Sequence, residues 1–184
     1  MSAFSFTYFV TGSILLTIVG IPLIKLNPFF KEGSKRIYHF LLSRWTWSLM
    51  YIMGNLKKQI INPAKENFSK PAVVIANHQS FLDILIMTML YPRVILFTNK
   101  WVWNSPVFGA VVRMADYYPV AMGAEESVDL LADRVKKGYS IVIFPEGTRS
   151  RDGKLRKFKF GVGALVRHFQ VPAIPVSIEG AYEA

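Results

Sequence analysis

Apolar and polar positions divide this chain into two regimes. From Phe4 to Ile24 no charged residue occurs. These twenty-one residues, wound as a helix, reach ~30 Å, about one hydrocarbon thickness. Gly12, Gly20 and Pro22 lie inside the stretch, and membrane helices tolerate both residue types. A secretory signal would show early positive charge and a small-residue cleavage site. Neither is clear, so a retained membrane segment is expected. Lys25, Lys31, Lys35 and Arg36 follow it, and the positive-inside rule puts that end, with whatever follows, on the cytoplasmic face. Arg36 to Met53 has another character: Tyr38, Phe40, Leu41, Leu42, Trp45, Trp47, Leu49 and Met50 are mixed with His39 and Arg44. Aromatic enrichment with sparse charge reads as an interfacial helix better than as a span; a helix packed on the domain core is the alternative. Together the two segments make a candidate hairpin dipping into one leaflet.

Beyond a polar connector, Asn62 to Lys70, short apolar runs alternate with longer ones. Pro71–Ala76, Arg93–Asn99, Tyr117–Ala121, Ser140–Phe144 and Ala173–Ile178 read as strands. Ser80–Tyr91, Ser105–Met114, Glu126–Lys137 and Phe160–Phe169 read as helices. This alternation predicts an α/β fold with a mixed, mostly parallel sheet flanked by helices. The expected division is residues 1–61 as two anchoring helices and 62–184 as a catalytic domain.

Composition fits a membrane-associated protein. Hydrophobic residues make up 52% and charged residues only 18% of the 184. The formal net charge of +10 suits anionic lipid surfaces or phosphorylated substrates. No nucleic-acid-binding module is readable, so nucleic acid is not expected as a partner. The chain has no cysteine and three histidines. Disulfides and a cysteine nucleophile are therefore excluded, and no metal site is expected.

Two polar clusters follow strands, where α/β enzymes keep their chemistry. In the first, Asn77-His78-Gln79-Ser80-Phe81-Leu82-Asp83, Ser80 reads as a helix cap with Asp83 three residues inside. Histidine is the side chain that exchanges protons near neutral pH, and a carboxylate beside it fixes its tautomer. His78 and Asp83 are thus a candidate base and its orienting partner. The same spacing also suits a plain capping box. In the second cluster, Phe144-Pro145-Glu146-Gly147-Thr148-Arg149-Ser150, Gly147 permits a tight turn whose amides can cradle an anion. Arg149 can grip a phosphate with its planar fork. A solvated turn has the same composition. Arg149, Arg151, Lys154, Arg156, Lys157 and Lys159 form a basic run broken only by Asp152. Lys100, at the exit of its strand, is a further candidate phosphate ligand.

Taken together, the two clusters resemble the first and third blocks of the glycerolipid acyltransferases, in particular the 1-acylglycerol-3-phosphate O-acyltransferases. Val171-Pro172-Ala173-Ile174-Pro175-Val176 resembles their fourth block. Asn99-Lys100-Trp101 with Pro106, Phe108 and Gly109 resembles the second. The likeness runs from about Pro71 to Gly180. One departure stands out: the second block ordinarily closes on Asp-Arg, whereas Asp116 is followed by Tyr117. Family members usually continue past the fourth block, so a piece of a longer protein is expected.

The resemblance implies an O-acyltransferase in which His78, oriented by Asp83, deprotonates a lysophospholipid hydroxyl as it attacks a thioester. Lys100, Glu146, Gly147, Thr148 and Arg149 are implied at the substrates. The donor would be acyl-CoA or acyl-carrier protein, a co-substrate, and no cofactor is implied. The acceptor would be lysophosphatidic acid, with another lyso-lipid such as a lyso-aminolipid as the alternative. A lipid-binding module without catalysis would keep the anchor and basic run but would not need His78 and Asp83 together. A hydrolase would turn the same pair on water.

Overall fold

The computed structural model describes residues 3–26, 28–54, 56–119, 124–150, 152, 154–158 and 161–182. Two long helices come first, α1 (Ala3–Lys25) and α2 (Lys31–Ile52). Five strands and five further helices follow: β1 (Val73–Ala76), α3 (Leu82–Leu90), β2 (Val94–Thr98), α4 (Lys100–Trp103), α5 (Gly109–Met114), β3 (Tyr118–Pro119), α6 (Ala124–Lys136), β4 (Ser140–Ile143), α7 (Gly161–Phe169) and β5 (Ala173–Val176).

The strands form one sheet in the order β3-β2-β4-β1-β5. Every pairing is parallel, with Val73 beside Ile141 and Ala173, and Ile95 also beside Ile141. The expected mixed character is therefore not realised among the described strands. Parallel strands need a crossover for each return, and those crossovers cover both faces. Alternate residues accordingly feed two cores. Val74, Ala76, Leu96 and Val142 meet Leu42 of α2, Met87 of α3 and Val111 of α5. Ile95 and Ile141 meet Leu131 and Val135 of α6, with Phe169 of α7 against them. Only β5, at the sheet edge, keeps partly exposed residues throughout.

Most elements fall where the apolar runs put them. The helix expected over Ser105–Met114 is shorter, Gly109–Met114, and a separate turn of helix begins at Lys100. Gly109 sits so close to the Trp103 carbonyl that a Cβ there would lie 2.5 Å from its oxygen, so the chain bends sharply between the two. Val120 and Ala121 of the expected third strand, and Phe160 of the last helix, lie outside the described residues.

α2 is a core helix on one side and an apolar surface on the other. Tyr38, Leu42 and Leu49 are buried against the sheet and α3, whereas Phe40, Trp47 and Tyr51 are exposed. The connector at 62–70 is thus a boundary in the chain but not in the packing. Charge reinforces the join. Asp116, the residue of the divergent second block, accepts from Lys35 of α2 and lies 3.1 Å from Arg134 of α6, which in turn lies 3.2 Å from Glu32. These side chains are largely buried. Removing one partner would strand a charge in a low-dielectric site.

α1 lies along α2. Its buried residues, Ser5, Phe9, Gly12, Ser13, Leu16 and Gly20, recur three or four apart and so share one face. Two of the six are glycines for a reason. A Cβ on Gly12 would fall 1.9 Å from the Trp45 indole nitrogen, and one on Gly20 would fall 2.6 Å from the Tyr38 ring. Phe4, Phe6, Ile14, Leu15, Ile18, Val19 and Ile21 point outward. Among the described residues α1 is the one helix long and apolar enough to cross a bilayer.

His39 of α2 is fully buried, and its Nδ1–H donates to the Pro92 carbonyl at 3.0 Å. Burial pushes its pKa down to about 4, opposed in part by the Asp116 charge. An unfolded histidine titrates near 6.5, so between pH 6.5 and 4 the unfolded chain binds the extra proton. Stability should therefore fall as pH drops through that window, by on the order of 3 kcal/mol when complete. Denaturation of the detergent-solubilised protein at stepped pH should show this loss. His39→Gln, lower in stability at neutral pH, should flatten the dependence between pH 6.5 and 4.

Candidate active site

All five strands point the same way, so their C-terminal ends share one edge of the sheet. β1 and β4 are neighbours in the order, but their onward connections diverge. The chain leaves β1 through α3 for β2 and leaves β4 through α7 for β5. Because α3 and α7 cover opposite faces, a crevice opens at this switch point. The loop after β1 carries His78, and the loop after β4 carries Glu146 to Arg149.

The first loop is organised by one carboxylate. Asp83, in the first turn of α3, is fully buried. Its Oδ2 accepts the Ser80 amide at 2.8 Å, the Gln79 amide at 2.5 Å and His78 Nδ1–H at 2.9 Å. The Ser80 hydroxyl in return accepts the Leu82 amide at 3.3 Å. The assigned helix starts at Leu82, with Phe81 already in helical conformation, so Ser80 acts as the physical cap. The capping box and the histidine–carboxylate pair are therefore the same carboxylate at work twice. A carboxylate accepts only, so Nδ1 is a protonated ring nitrogen, and in the neutral ring the lone pair falls to Nε2. The imidazole stacks on Phe144 with centroids 4.2 Å apart. The side chain remains 12% exposed.

The second loop is sewn to the first. Glu146 is buried; its Oε1 accepts the His78 amide at 2.8 Å and its Oε2 the Arg156 amide at 3.1 Å. The Ser150 amide donates to the His78 carbonyl at 2.8 Å. His78 is thus gripped at its amide, its carbonyl and its ring. Between these ties the chain turns outward. Gly147 has φ +69° and donates its amide to the Phe144 carbonyl at 3.0 Å, a left-handed backbone that favours glycine. Gly147, Thr148 and Arg149 are exposed.

Of the residues singled out from sequence, His78, Asp83 and Glu146 are brought into direct contact, and Gly147, Thr148 and Arg149 cap the same crevice. Glu146 differs in kind from its neighbours, because both its oxygens are occupied by backbone amides. Lys100 is exposed at the C-terminal end of β2, separated from β1 by β4. Of the basic run, Arg151 and Lys159 lie outside the described residues. Two positioning residues carried no role in the sequence reading. Asn77 exchanges two hydrogen bonds with Ile178, at 2.8 and 2.7 Å, clamping the exits of β1 and β5. Buried Ser150 holds its hydroxyl 2.8 Å from the Lys154 carbonyl. An Asn directly before the histidine and a Ser closing the glycine turn were the available signals. Among the described residues no cluster of potential metal ligands occurs.

The parallel α/β sheet thus holds a carboxylate-bound histidine at its switch point, where sheets of this kind place their ligands. The family model for "Acyltransferase" matches residues 56–179, and the chain belongs to that family. It is 32% identical over 171 residues to the 1-acyl-sn-glycerol-3-phosphate acyltransferase BAT2, chloroplastic, of Brassica napus, covering 91% of this chain and 48% of that protein. Against the LPAT1, chloroplastic, acyltransferase of Arabidopsis thaliana it is 30% identical over 174 residues, 92% of this chain and 48% of that protein. The chain therefore spans about half the length of these curated relatives. The crystal structure of the LPA acyltransferase PlsC from Thermotoga maritima matches with a TM-score of 0.66 at 22% identity, over 94% of this chain and 77% of that one. That likeness supports the fold.

If Glu146 is a tie between loops, Glu146→Gln should loosen them. The amide offers one acceptor where two N–H groups need partners, at a cost of roughly 1–3 kcal/mol. Hydrogen exchange at the His78 and Arg156 amides should then accelerate together, while the amides of β1 keep their protection.

Proposed function

We propose that this chain is a membrane-bound O-acyltransferase that moves a fatty acyl group from a thioester to a lysophospholipid hydroxyl, with lysophosphatidic acid as acceptor. The observation that carries the reading is His78 held at three points with Nδ1 committed to Asp83. A lipid-binding module has no use for such a group.

The acceptor hydroxyl, placed against Nε2, gives up its proton as its oxygen bonds to the thioester carbonyl carbon. The carbonyl π electrons move to oxygen, and the resulting oxyanion needs donors. When the carbonyl re-forms, the C–S bond breaks, and the imidazolium returns its proton to the departing sulfur. Asp83 stabilises the imidazolium between these steps and stays ionised. The acceptor supplies the nucleophile, so no enzyme-bound acyl group is required. Arg149 and the outward turn at Gly147 and Thr148 would take the acceptor phosphate, with Lys100 as a second cation at the same sheet edge. Glu146 serves by holding His78. The donor would be acyl-CoA or acyl-carrier protein.

The membrane reading follows from α1 and α2. α1 is docked on protein along most of its length. A perpendicular crossing would pull α2, with Arg36 and Arg44, into hydrocarbon, which is costly. We therefore place the outward faces of α1 and α2 within one leaflet, the catalytic unit resting on the surface on the cytoplasmic side. Lys35 contributes nothing to that orientation, because its charge is taken by Asp116.

Purified His78→Ala should fold and bind membranes yet lose roughly 10²–10⁴-fold in acyl transfer, the range general base catalysis supplies. Activity within threefold of wild type would remove His78 from the mechanism. Arg149→Ala should raise the KM for the lyso-lipid more than that for the donor, and Arg149→Lys should rescue it only in part, since lysine lacks the planar fork. A shift confined to the donor KM would assign Arg149 to the carrier instead.

A further inference from the structure

We propose that residues 154–158 form a second membrane contact, separate from the helical anchor, which reads anionic lipid and seats the active-site crevice on the bilayer surface. The segment is Lys154-Leu155-Arg156-Lys157-Phe158, and all five residues are exposed. Leu155 is 65% and Phe158 48% exposed, among the larger apolar side chains left in water outside α1 and α2. Each lies beside a base. Three cations interleaved with two apolar side chains match an anionic lipid surface, where the charges meet headgroups and the apolar groups enter below them. A purely nucleotide or phosphate ligand would leave Leu155 and Phe158 without a role.

Position favours the same partner. The segment does not hang free of the site. The Arg156 amide donates to Glu146 Oε2 at 3.1 Å, and Glu146 Oε1 accepts the His78 amide at 2.8 Å. The Lys154 carbonyl lies 2.8 Å from the Ser150 hydroxyl, and the Ser150 amide donates to the His78 carbonyl. A surface that captures this segment therefore lies beside His78. The N-terminal half of α1 reaches the same edge of the sheet: Phe9 packs on Phe81, two residues ahead of Asp83, with ring centroids 5.5 Å apart. Helical anchor and basic segment thus sit at one edge of the molecule. The inference rests on the acyltransferase reading only for why a lipid surface is useful there. The contact itself can be measured without turnover.

The chain has no cysteine, so Leu155→Cys and Phe158→Cys, made singly and labelled with an environment-sensitive fluorophore, report from one place each. Lys70→Cys, at the opposite edge of the sheet ahead of β1, is the control. The full chain is bound to phosphatidylcholine vesicles with and without phosphatidylglycerol; α1 holds it on both. The two loop labels should shift to the blue and be quenched by lipid-borne spin labels only when phosphatidylglycerol is present, and the control should not respond. Each base near an anionic surface strengthens binding about fivefold. Lys154→Gln, Arg156→Gln and Lys157→Gln combined should therefore cut the inserted-to-free ratio of the label by tenfold or more, and high salt should do the same. Loop labels that behave like the control on anionic vesicles would overturn the proposal. So would labels that respond to an acidic carrier protein in solution and not to vesicles, which would make the segment a protein-docking site. Absence of acyl transfer by the unmodified chain, with insertion of the loop labels intact, would count against the catalytic reading and leave the membrane contact standing.

Discussion

The candidate active site depends on one buried carboxylate. Asp83 has no exposure to water, and a bare carboxylate there would cost several kcal/mol or take up a proton. Three donors in succession, from His78, Gln79 and Ser80, converge on its Oδ2. The amide-rich N-terminus of α3 adds a favourable field. The chain from β1 to α3 can satisfy this charge only by folding back over the first turn of the helix. That fold-back is what places the imidazole. Helix capping and imidazole orientation are one structural event, so a change that disturbs either disturbs both.

A second carboxylate makes the site bipartite. Glu146 spans from the His78 amide to the Arg156 amide, so the loops after β1 and β4 are fixed to one another as well as to their strands. The sheet order makes this possible. β1 and β4 are far apart in sequence but adjacent in space, and their exits part to opposite faces. Farther away, Asp116 does for α2 what Glu146 does for the loops: it binds Lys35 and Arg134 together and locks the helical layer to α6. The acyltransferase family places this machinery in context, but the rigidity is a property of the contacts.

Much of this could be read from residues alone. The buried strands are continuous β-branched or apolar runs, as parallel strands covered on both faces must be; the runs at 71–76, 93–99, 140–144 and 173–178 match their strands to within two residues at each end, and the C-terminal end of the run at 117–121 lies outside the described residues. The His78 and Asp83 spacing was legible because cap and pair share it. The separate turn of helix at 100–103 and the late start of the helix expected over 105–114 are not legible, because the backbone approach of Gly109 to Trp103 leaves no periodic trace. Glu146 looked like a substrate group, since its partners are backbone amides distant in sequence and amides are invisible in a list of side chains. Gly12 and Gly20 read only as tolerated in a membrane helix; their close approach to Trp45 and Tyr38 depends on how two helices pack. Asp116 looked like an incomplete motif, and its partners lie on α2 and α6.

The central claim is that Asp83 sets the tautomer of His78, leaving Nε2 to receive a proton. Nitrogen-15 NMR of the histidine-labelled protein in micelles tests it directly, since the chain has only three histidines. At mildly alkaline pH the His78 signals should show a protonated Nδ1 and an unprotonated Nε2, and Asp83→Asn should scramble that preference. An Nε2–H tautomer in the wild type, or a tautomer unchanged by Asp83→Asn, would contradict the account.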